Sequence, residues 1–90
     1  MKTAETVVRN KTGLHARPAA AFSAAAAAFQ SAVTVRNLDK GKQANAKSVV
    51  RVLSLGMAQG TRISVSAEGA DEEAAVDALV ALVNGGFGEL

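Results

Sequence analysis

Residues 61–84, TRISVSAEGADEEAAVDALVALVN, decide the fold class because their hydrophobic period changes midway. From 61 to 67, apolar and polar residues alternate, which predicts a strand with one buried face. From 71 onward the apolar residues recur at helical spacing after an acidic first turn, which predicts a helix with one apolar face. A strand and a helix of this kind bury their apolar faces against each other, so the segment predicts one layer of sheet and one of helix.

The same patterns, followed outward from this segment, predict the order β, α, β, β, α, β, α. The other predicted elements are strands at 3–8 and 33–36, a short strand after the turn at 40–42, and helices at 16–28 and 48–56. The pattern of the short helix fits a strand as well, because its residues 49–55 are rich in β-branched side chains. Ser48 as N-cap and Gly56 as C-cap favour a helix. We therefore predict an α+β fold, a two-layer sandwich.

Length and composition limit what kind of protein this is. The chain has 90 residues, 49% of them hydrophobic, and no linker, so we expect a single domain over 1–90 with a loose tail at 85–90. It has no cysteine and one histidine, so we expect no metal site and no cofactor. The most apolar window, 18–29, is too short to span a bilayer, and residues 1–8 do not resemble a secretion signal. We expect a cytoplasmic monomer without membrane insertion.

The charges are unevenly distributed along the chain. All ten Lys and Arg lie in residues 1–62 with only two acids, whereas the other six acids lie in 63–90. A basic half attracts acidic protein surfaces, phosphorylated ligands or nucleic acid, but the acids also suit the last helix, and charge alone does not choose. Nucleic-acid binding is the rival function from another class. Sheets that bind single strands stack bases on aromatic side chains, and here two of three phenylalanines lie at the Ala-rich helix, so we expect no nucleic acid.

GLHARPAA, residues 13–20, places the only histidine at the predicted start of a helix. The first N–H groups of a helix lack partners and bind phosphate readily, and here they belong mainly to Ala16 and Arg17 because Pro18 has none. The Arg17 guanidinium adds a forked donor for phosphate oxygens. The positive surroundings favour the neutral ring of His15, whose free nitrogen is a nucleophile for a phosphoryl group.

The alternative is that a lone histidine is an ordinary surface or core residue. No second base, carboxylate or serine is found near His15 in the sequence, so hydrolytic triads are poor candidates. A site that accepts phosphate and passes it on needs fewer catalytic groups of its own, because a partner protein supplies the metal and the acid–base groups.

The segment NKTGLHARPA, residues 10–19, resembles the active-site segment of HPr, the histidine-containing phosphocarrier of the bacterial phosphoenolpyruvate-dependent sugar phosphotransferase system (PTS). The similarity runs from about 6 to 83 and includes 47–56 and 66–69. It implies an open-faced two-layer β-sandwich with a four-stranded antiparallel sheet covered by three helices. It also implies that the protein is not an autonomous enzyme: enzyme I phosphorylates Nδ1 of His15, Arg17 assists, and sugar-specific enzyme IIA receives the phosphoryl group.

Ser48 matches the serine that HPr kinase/phosphorylase modifies in many members of the family, which implies that kinase and a catabolite-control regulator as further partners. Phosphate at a helix N-cap is favoured by the helix dipole and adds about −1.5 to −2 charges beside a docking surface. The alternative is a plain N-cap worth about 1 kcal/mol. The sequence leaves both open.

The resemblance also implies a docking surface for partner proteins near His15. The residues that we expect in it are Thr12, Leu14, Lys47, Val49, Val50, Arg51 and Leu53. Of the apolar ones, we expect Val50 to be exposed. Arg51 stands where the family usually has glycine, and segment 37–45 is longer than usual, which leaves partner preference open. A regulatory phosphorelay protein, nitrogen-related or in carbon catabolite control, therefore remains the alternative to a general sugar carrier.

Overall fold

A computed structural model describes residues 1–89 of the chain and contains the predicted order of elements. The strands are β1 (Lys2–Val7), β2 (Ala32–Asn37), β3 (Lys42–Asn45) and β4 (Arg62–Glu68). The helices are α1 (Ala16–Ala27), α2 (Val49–Ser54) and α3 (Glu72–Asn84), followed by a 3-10 turn at Gly86–Gly88. The prediction of an α+β sandwich in the order βαββαβα is confirmed, with boundaries that move by one or two residues.

The sheet is antiparallel throughout, with the strand order β1-β4-β2-β3. Its register aligns Ala4, Val65, Val35 and Ala44 in one row across the four strands. This row faces the helices, since Val65 and Val35 are fully buried. The sheet is open on its other face, as the alternation in β4 predicts.

The core lies between the inner face of the sheet and the three helices. Phe22 of α1, Ile63 of β4 and Leu79 of α3 are its largest apolar side chains, and all three are fully buried. Burial of such a side chain contributes about 1.5–3 kcal/mol, so these contacts hold α1 and α3 on the sheet. The longest helix, α3, has 13 residues. Within residues 1–89, no helix combines the length and the apolar character needed to cross a bilayer.

The segment that fitted both strand and helix forms the short helix α2. Ser48 has the extended backbone of an N-cap, and its Oγ accepts a hydrogen bond from the N–H of Arg51 at 3.4 Å. The C-cap is Leu55, and Gly56 follows it with φ +61°, the left-handed position that favours glycine after a helix. Ser48 therefore caps the start of α2 as predicted, and Gly56 ends the helix from the position one residue beyond the C-cap.

Residues 85–90 were expected to be a loose tail. In the structure, Gly86 is buried within the 3-10 turn, and Phe87 is partly buried against the core. Glu89 follows this turn and lies against the loop between β1 and α1. Leu90 lies outside the described residues.

Candidate functional site

The loop between β1 and α1 is held in place by its own polar groups and by the segment after α2. The buried Asn10 side chain donates through Nδ2 to the Gly13 carbonyl oxygen at 2.7 Å. Gly13 has φ +65° and lies so close to the backbone that an added Cβ would be 2.5 Å from the Met57 carbonyl oxygen. The Leu14 N–H donates to that same oxygen at 2.8 Å. These contacts fix the direction in which the chain enters α1 at His15.

His15 is the N-cap residue of α1, as the sequence predicts. Its backbone is extended and its carbonyl oxygen accepts from the Ala19 N–H at 2.9 Å, which begins the helix. Its side chain makes no capping hydrogen bond, and 44% of it is exposed. The ring therefore lies at the mouth of the helix, within reach of a partner.

The first turn of α1 presents unpaired donors beside this ring. The N–H groups of Ala16 and Arg17 have no hydrogen-bond partner among residues 1–89. The Arg17 side chain is exposed and takes no part in the ion pairs that these residues form. A cation at the positive end of a helix is unfavourable for the helix itself but strengthens attraction for an anion. This turn is therefore suited to hold a phosphoryl group near His15.

A carboxylate lies beside the histidine, so the expectation that none is nearby is wrong. Glu89 Oε2 is 3.5 Å from His15 Nε2, and its other oxygen accepts from Thr12 Oγ1 at 2.9 Å and from Asn10 Nδ2 at 3.0 Å. The hydrogen bonds from Asn10 and Thr12, with a smaller contribution from His15, lower the pKa of Glu89. Glu89 is remote from His15 in sequence and follows a glycine-rich stretch, so no local pattern indicates the contact.

Basic groups flank the site on the side of Glu89. A surface groove there is lined by Arg9, Lys11, Thr12, Gln59 and Glu89. Within this lining, the Gln59 side chain donates to the Arg9 carbonyl oxygen at 3.1 Å. This agrees with the basic character of the first part of the chain and gives an incoming anion an attractive field.

No cluster of three or more possible metal ligands occurs in residues 1–89.

The helix α2 packs beside α1 and presents two apolar side chains to solvent. Val50 is 78% exposed, as expected, and Leu53 is 40% exposed, whereas Val52 is fully buried in the core. Val49 is partly buried, and Arg51 is exposed between the two apolar residues. We call Val49, Val50, Arg51 and Leu53 the α2 patch.

Two residues that were expected in a docking surface make contacts within the protein. Leu14 is only 5% exposed because its side chain belongs to the core under the start of α1. The Lys47 ammonium donates to the Phe29 carbonyl oxygen at 2.8 Å, just after the end of α1. The Leu14 side chain therefore offers little surface to a partner, whereas Lys47 is partly buried and is anchored beside the end of α1.

Comparison with known proteins gives one family. The chain matches the family model described as PTS HPr component phosphorylation site over residues 2–85. It is 46% identical over 82 residues to phosphocarrier protein HPr of Haemophilus influenzae. The matched residues cover 91% of this chain and 92% of that protein. It is 44% identical over 82 residues to phosphocarrier protein NPr of Proteus mirabilis, covering 91% of this chain and 90% of that protein.

Other relatives are longer than this chain. The multiphosphoryl transfer protein of Vibrio cholerae is 44% identical over 88 residues, but the chain spans only 22% of its length. Among solved structures, the crystal structure of HPr-C-His from Thermoanaerobacter tengcongensis matches with a TM-score of 0.94 and 48% identity, over 100% of this chain and 99% of that one. The family model, the identities and the shared fold agree: the chain belongs to the HPr family of PTS phosphocarriers.

Proposed function

We propose that His15 accepts a phosphoryl group from enzyme I and passes it to sugar-specific enzyme IIA. Membership of the HPr family supports a phosphocarrier role in the phosphotransferase system. The observation that carries the site is the exposed ring of His15 next to the unpaired N–H groups of Ala16 and Arg17. Such a protein is a carrier, which needs a partner to supply the remaining catalytic groups, and it needs no cofactor of its own.

The transfer step follows from this geometry. A ring nitrogen of His15 uses its lone pair to form a bond with phosphorus while the bond between phosphorus and its donor breaks, and the donor keeps that electron pair. The oxygens of the transferred group rest on the N–H groups of Ala16 and Arg17 and on the Arg17 guanidinium. Delivery reverses the step at an acceptor, so the same donors must hold the group without binding it irreversibly.

Partner docking is proposed at the α2 patch together with Thr12. The exposed Val50 and Leu53 supply apolar contact, and Arg51 with the basic groups near His15 suits acidic partner surfaces. We propose that the protein meets enzyme I and enzyme IIA in the cytoplasm as a monomer.

Labelling with radioactive phosphoenolpyruvate, enzyme I and magnesium tests the proposal. We expect label that is labile in acid and stable in alkali, absent from His15→Ala and formed more slowly in Arg17→Ala. The matched control is Arg36→Ala, which removes the same charge from an exposed position on β2. Label that persists in His15→Ala would overturn the assignment of the site.

Regulation at Ser48 is a separate part of the proposal. Ser48 is the N-cap of α2 and adjoins the α2 patch, so a phosphate there would place negative charge where acidic partners dock. We propose HPr kinase/phosphorylase as the enzyme and a catabolite-control regulator as the reader. Incubation with purified kinase and ATP should give one acid-stable phosphate by mass spectrometry, absent from Ser48→Ala. An unmodified protein under conditions that phosphorylate a known HPr would contradict this part.

A regulatory phosphorelay is the second candidate function. The identities to HPr of Haemophilus influenzae and NPr of Proteus mirabilis, 46% and 44%, do not separate the two roles. Transfer from the phosphorylated protein to sugar-specific enzyme IIA, compared with transfer to a nitrogen-related one, distinguishes them. Faster transfer to the sugar-specific protein is expected for the main proposal, and faster transfer to the other would replace it with the second candidate.

A further inference from the structure

The strand β3 is a free edge of the sheet, and the proposed function does not use it. It is the last strand in the order β1-β4-β2-β3, and it pairs only with β2. Lys42, Gln43 and Asn45 are exposed along it, and Ala44 is partly buried. The free edge of a strand is a template on which another extended chain can pair. No residue of β3 belongs to the candidate site at His15 or to the α2 patch.

The backbone of β3 offers unpaired groups to such a chain. The Ala46 N–H donates to the Val33 carbonyl oxygen at 2.9 Å, and hydrogen bonding alternates along an antiparallel pair of strands. Every second residue of β3 therefore turns its backbone groups outward, and these residues are Gln43 and Asn45. The Asn45 carbonyl oxygen accepts from the Ser48 N–H at 3.1 Å. The other outward groups, both N–H groups and the Gln43 carbonyl, have no partner among residues 1–89.

A surface groove of about 560 Å³ lies beside this edge, and Thr34, Gln43 and Asn45 are among the residues that line it. These three side chains lie on the open face of the sheet, since the alternate residues Val35 and Ala44 face the helices. The volume is within the range of about 300–1,000 Å³ that is typical of ligand sites. The side chains of a strand added to β3 therefore have room on this face.

The surroundings of β3 are positively charged. Residues 40–67 contain five Lys and Arg and no acid, and two of these bases, Lys40 and Lys42, flank the turn into β3. The acid just before them, Asp39, is already paired with Arg62 at an Oδ1 to Nε distance of 2.9 Å. The strand at the opposite edge, β1, has one basic and one acidic residue, so its charge is balanced. Charge complementarity therefore favours an acidic partner at β3.

We propose that β3 binds an acidic, extended segment of a partner protein, which pairs with it as a fifth strand of the sheet. Backbone hydrogen bonds to Gln43 and Asn45 supply the affinity, and the lysines beside the strand select acidic side chains. The partner is a protein segment and not a nucleic acid, because β2 and β3 carry no aromatic side chain on which bases stack. A second copy of this chain fits less well, since only two of its acids, Glu5 and Glu68, lie in strands. Binding at this edge does not require phosphate on His15.

A peptide titration of the whole 15N-labelled chain, followed by NMR, tests the proposal. The probe is a capped peptide of about eight residues that alternates Glu and Thr, which is long enough to span β3. At low salt we expect a Kd below about 1 mM, with the largest shifts and slowed hydrogen exchange at the amides of Gln43 and Asn45. The matched control peptide alternates Glu and Pro, which keeps the charge but prevents a strand ladder. We expect this peptide to bind at least about tenfold more weakly.

Variants of the protein separate the backbone contact from the charge. Gln43→Pro removes an outward N–H that is not part of the ladder with β2, and it should raise the Kd about three- to tenfold. Gln43→Ala keeps that N–H and should bind as the wild type does. Lys42→Gln should raise the Kd about two- to fivefold at low salt, more than Lys2→Gln, which removes the same charge from β1. Circular dichroism checks that each variant is folded before the titration.

The absence of shifts at Gln43 and Asn45 up to about 2 mM peptide would overturn the proposal. Equal binding of the Glu-Pro peptide or of a thymidine oligonucleotide would also overturn it, since charge alone would then explain the contact. Shifts at these amides that grow with protein concentration alone would identify a second copy as the occupant and would overturn the assignment to an acidic segment.

Labelling by enzyme I and phosphoenolpyruvate distinguishes this proposal from the proposed function. Gln43→Pro should be labelled at the wild-type rate although its affinity for the Glu-Thr peptide is lower. Slower labelling of the folded variant would overturn the independence of this edge from the site at His15. Wild-type protein that binds the peptide but is never labelled would overturn the proposed function and leave the binding of an acidic strand at β3 supported.

Discussion

Replacing Gly13 by alanine should destabilise the fold and displace the loop that carries His15. Gly13 has φ +65°, and a Cβ there would lie 2.5 Å from the Met57 carbonyl oxygen and 2.8 Å from Ala58 Cα. Gly41 is a matched control because its φ is +69° and the nearest atom to an added Cβ is the end of the Arg36 side chain at 4.0 Å. The two substitutions therefore share the backbone strain and differ in the clash.

The strain of a left-handed alanine is about 1–2 kcal/mol, and the stiffer unfolded chain returns about 0.4–1 kcal/mol. Gly41→Ala should therefore cost about 1 kcal/mol. In Gly13→Ala the backbone must also move apart and weaken the buried hydrogen bond from the Leu14 N–H to the Met57 oxygen, now 2.8 Å, at about 1–3 kcal/mol. The total is about 2–4 kcal/mol.

Thermal unfolding followed by circular dichroism measures both variants, since the chain has no Trp or Tyr for fluorescence. A domain of this size loses about 4–8 °C in Tm for each kcal/mol, so we expect a fall of about 5 °C for Gly41→Ala and at least about 10 °C for Gly13→Ala. Phosphorylation of Gly13→Ala, measured below its Tm, should also be slower. Equal Tm values for the two variants would refute the argument that the loop is held by close backbone approach.

Three further perturbations test other contacts. Ser48→Ala should lower stability by about 0.5–2 kcal/mol because it removes the acceptor for the Arg51 N–H, whereas Ser48→Asn should retain most of it; equal Tm values for the two would contradict the N-cap role. A hydrogen bond from the Ser31 side chain, and next one from the Gln30 N–H, lower the pKa of Asp71 below its ordinary value of 3.8. The ionised Asp71 carboxylate therefore stabilises the folded protein above pH 3.8, and this stabilisation is lost as the pH falls through the lowered pKa of the folded state. In urea unfolding, the free energy of unfolding should therefore fall between pH 6 and 2, and it should fall less steeply in Asp71→Asn than in the wild type. Parallel curves for the two proteins would contradict this contribution of Asp71. Val50→Asp should leave Tm nearly unchanged, because the side chain is 78% exposed, and should raise KM for enzyme I; an unchanged KM would remove Val50 from the docking surface.

The fold was predictable because each element has its own local signal. The alternation in β4, the helical spacing in α3 and the caps of α2 depend on neighbours in sequence, and each is formed as expected. The start of α1 at His15 was predictable for the same reason, since Pro18 suits a first turn.

The parts that sequence reasoning missed depend on contacts between distant residues. Glu89 reaches His15 because the 3-10 turn after α3 directs it back to the loop, and no pattern within GGFGEL indicates this. Asp71 occupies the N-cap position of α3, but its carboxylate binds the backbone of Gln30 and Ser31, which lie just before β2. Such contacts follow from packing and appear only when the elements are assembled.

The central claim is that a nitrogen of His15 forms the bond to phosphorus. Because His15 is the only histidine, 15N-histidine protein phosphorylated by enzyme I reports on this ring alone. We predict a one-bond coupling between phosphorus and Nδ1, with none to Nε2. Coupling to Nε2, or phosphate found on another residue type with the ring unchanged, would contradict the account.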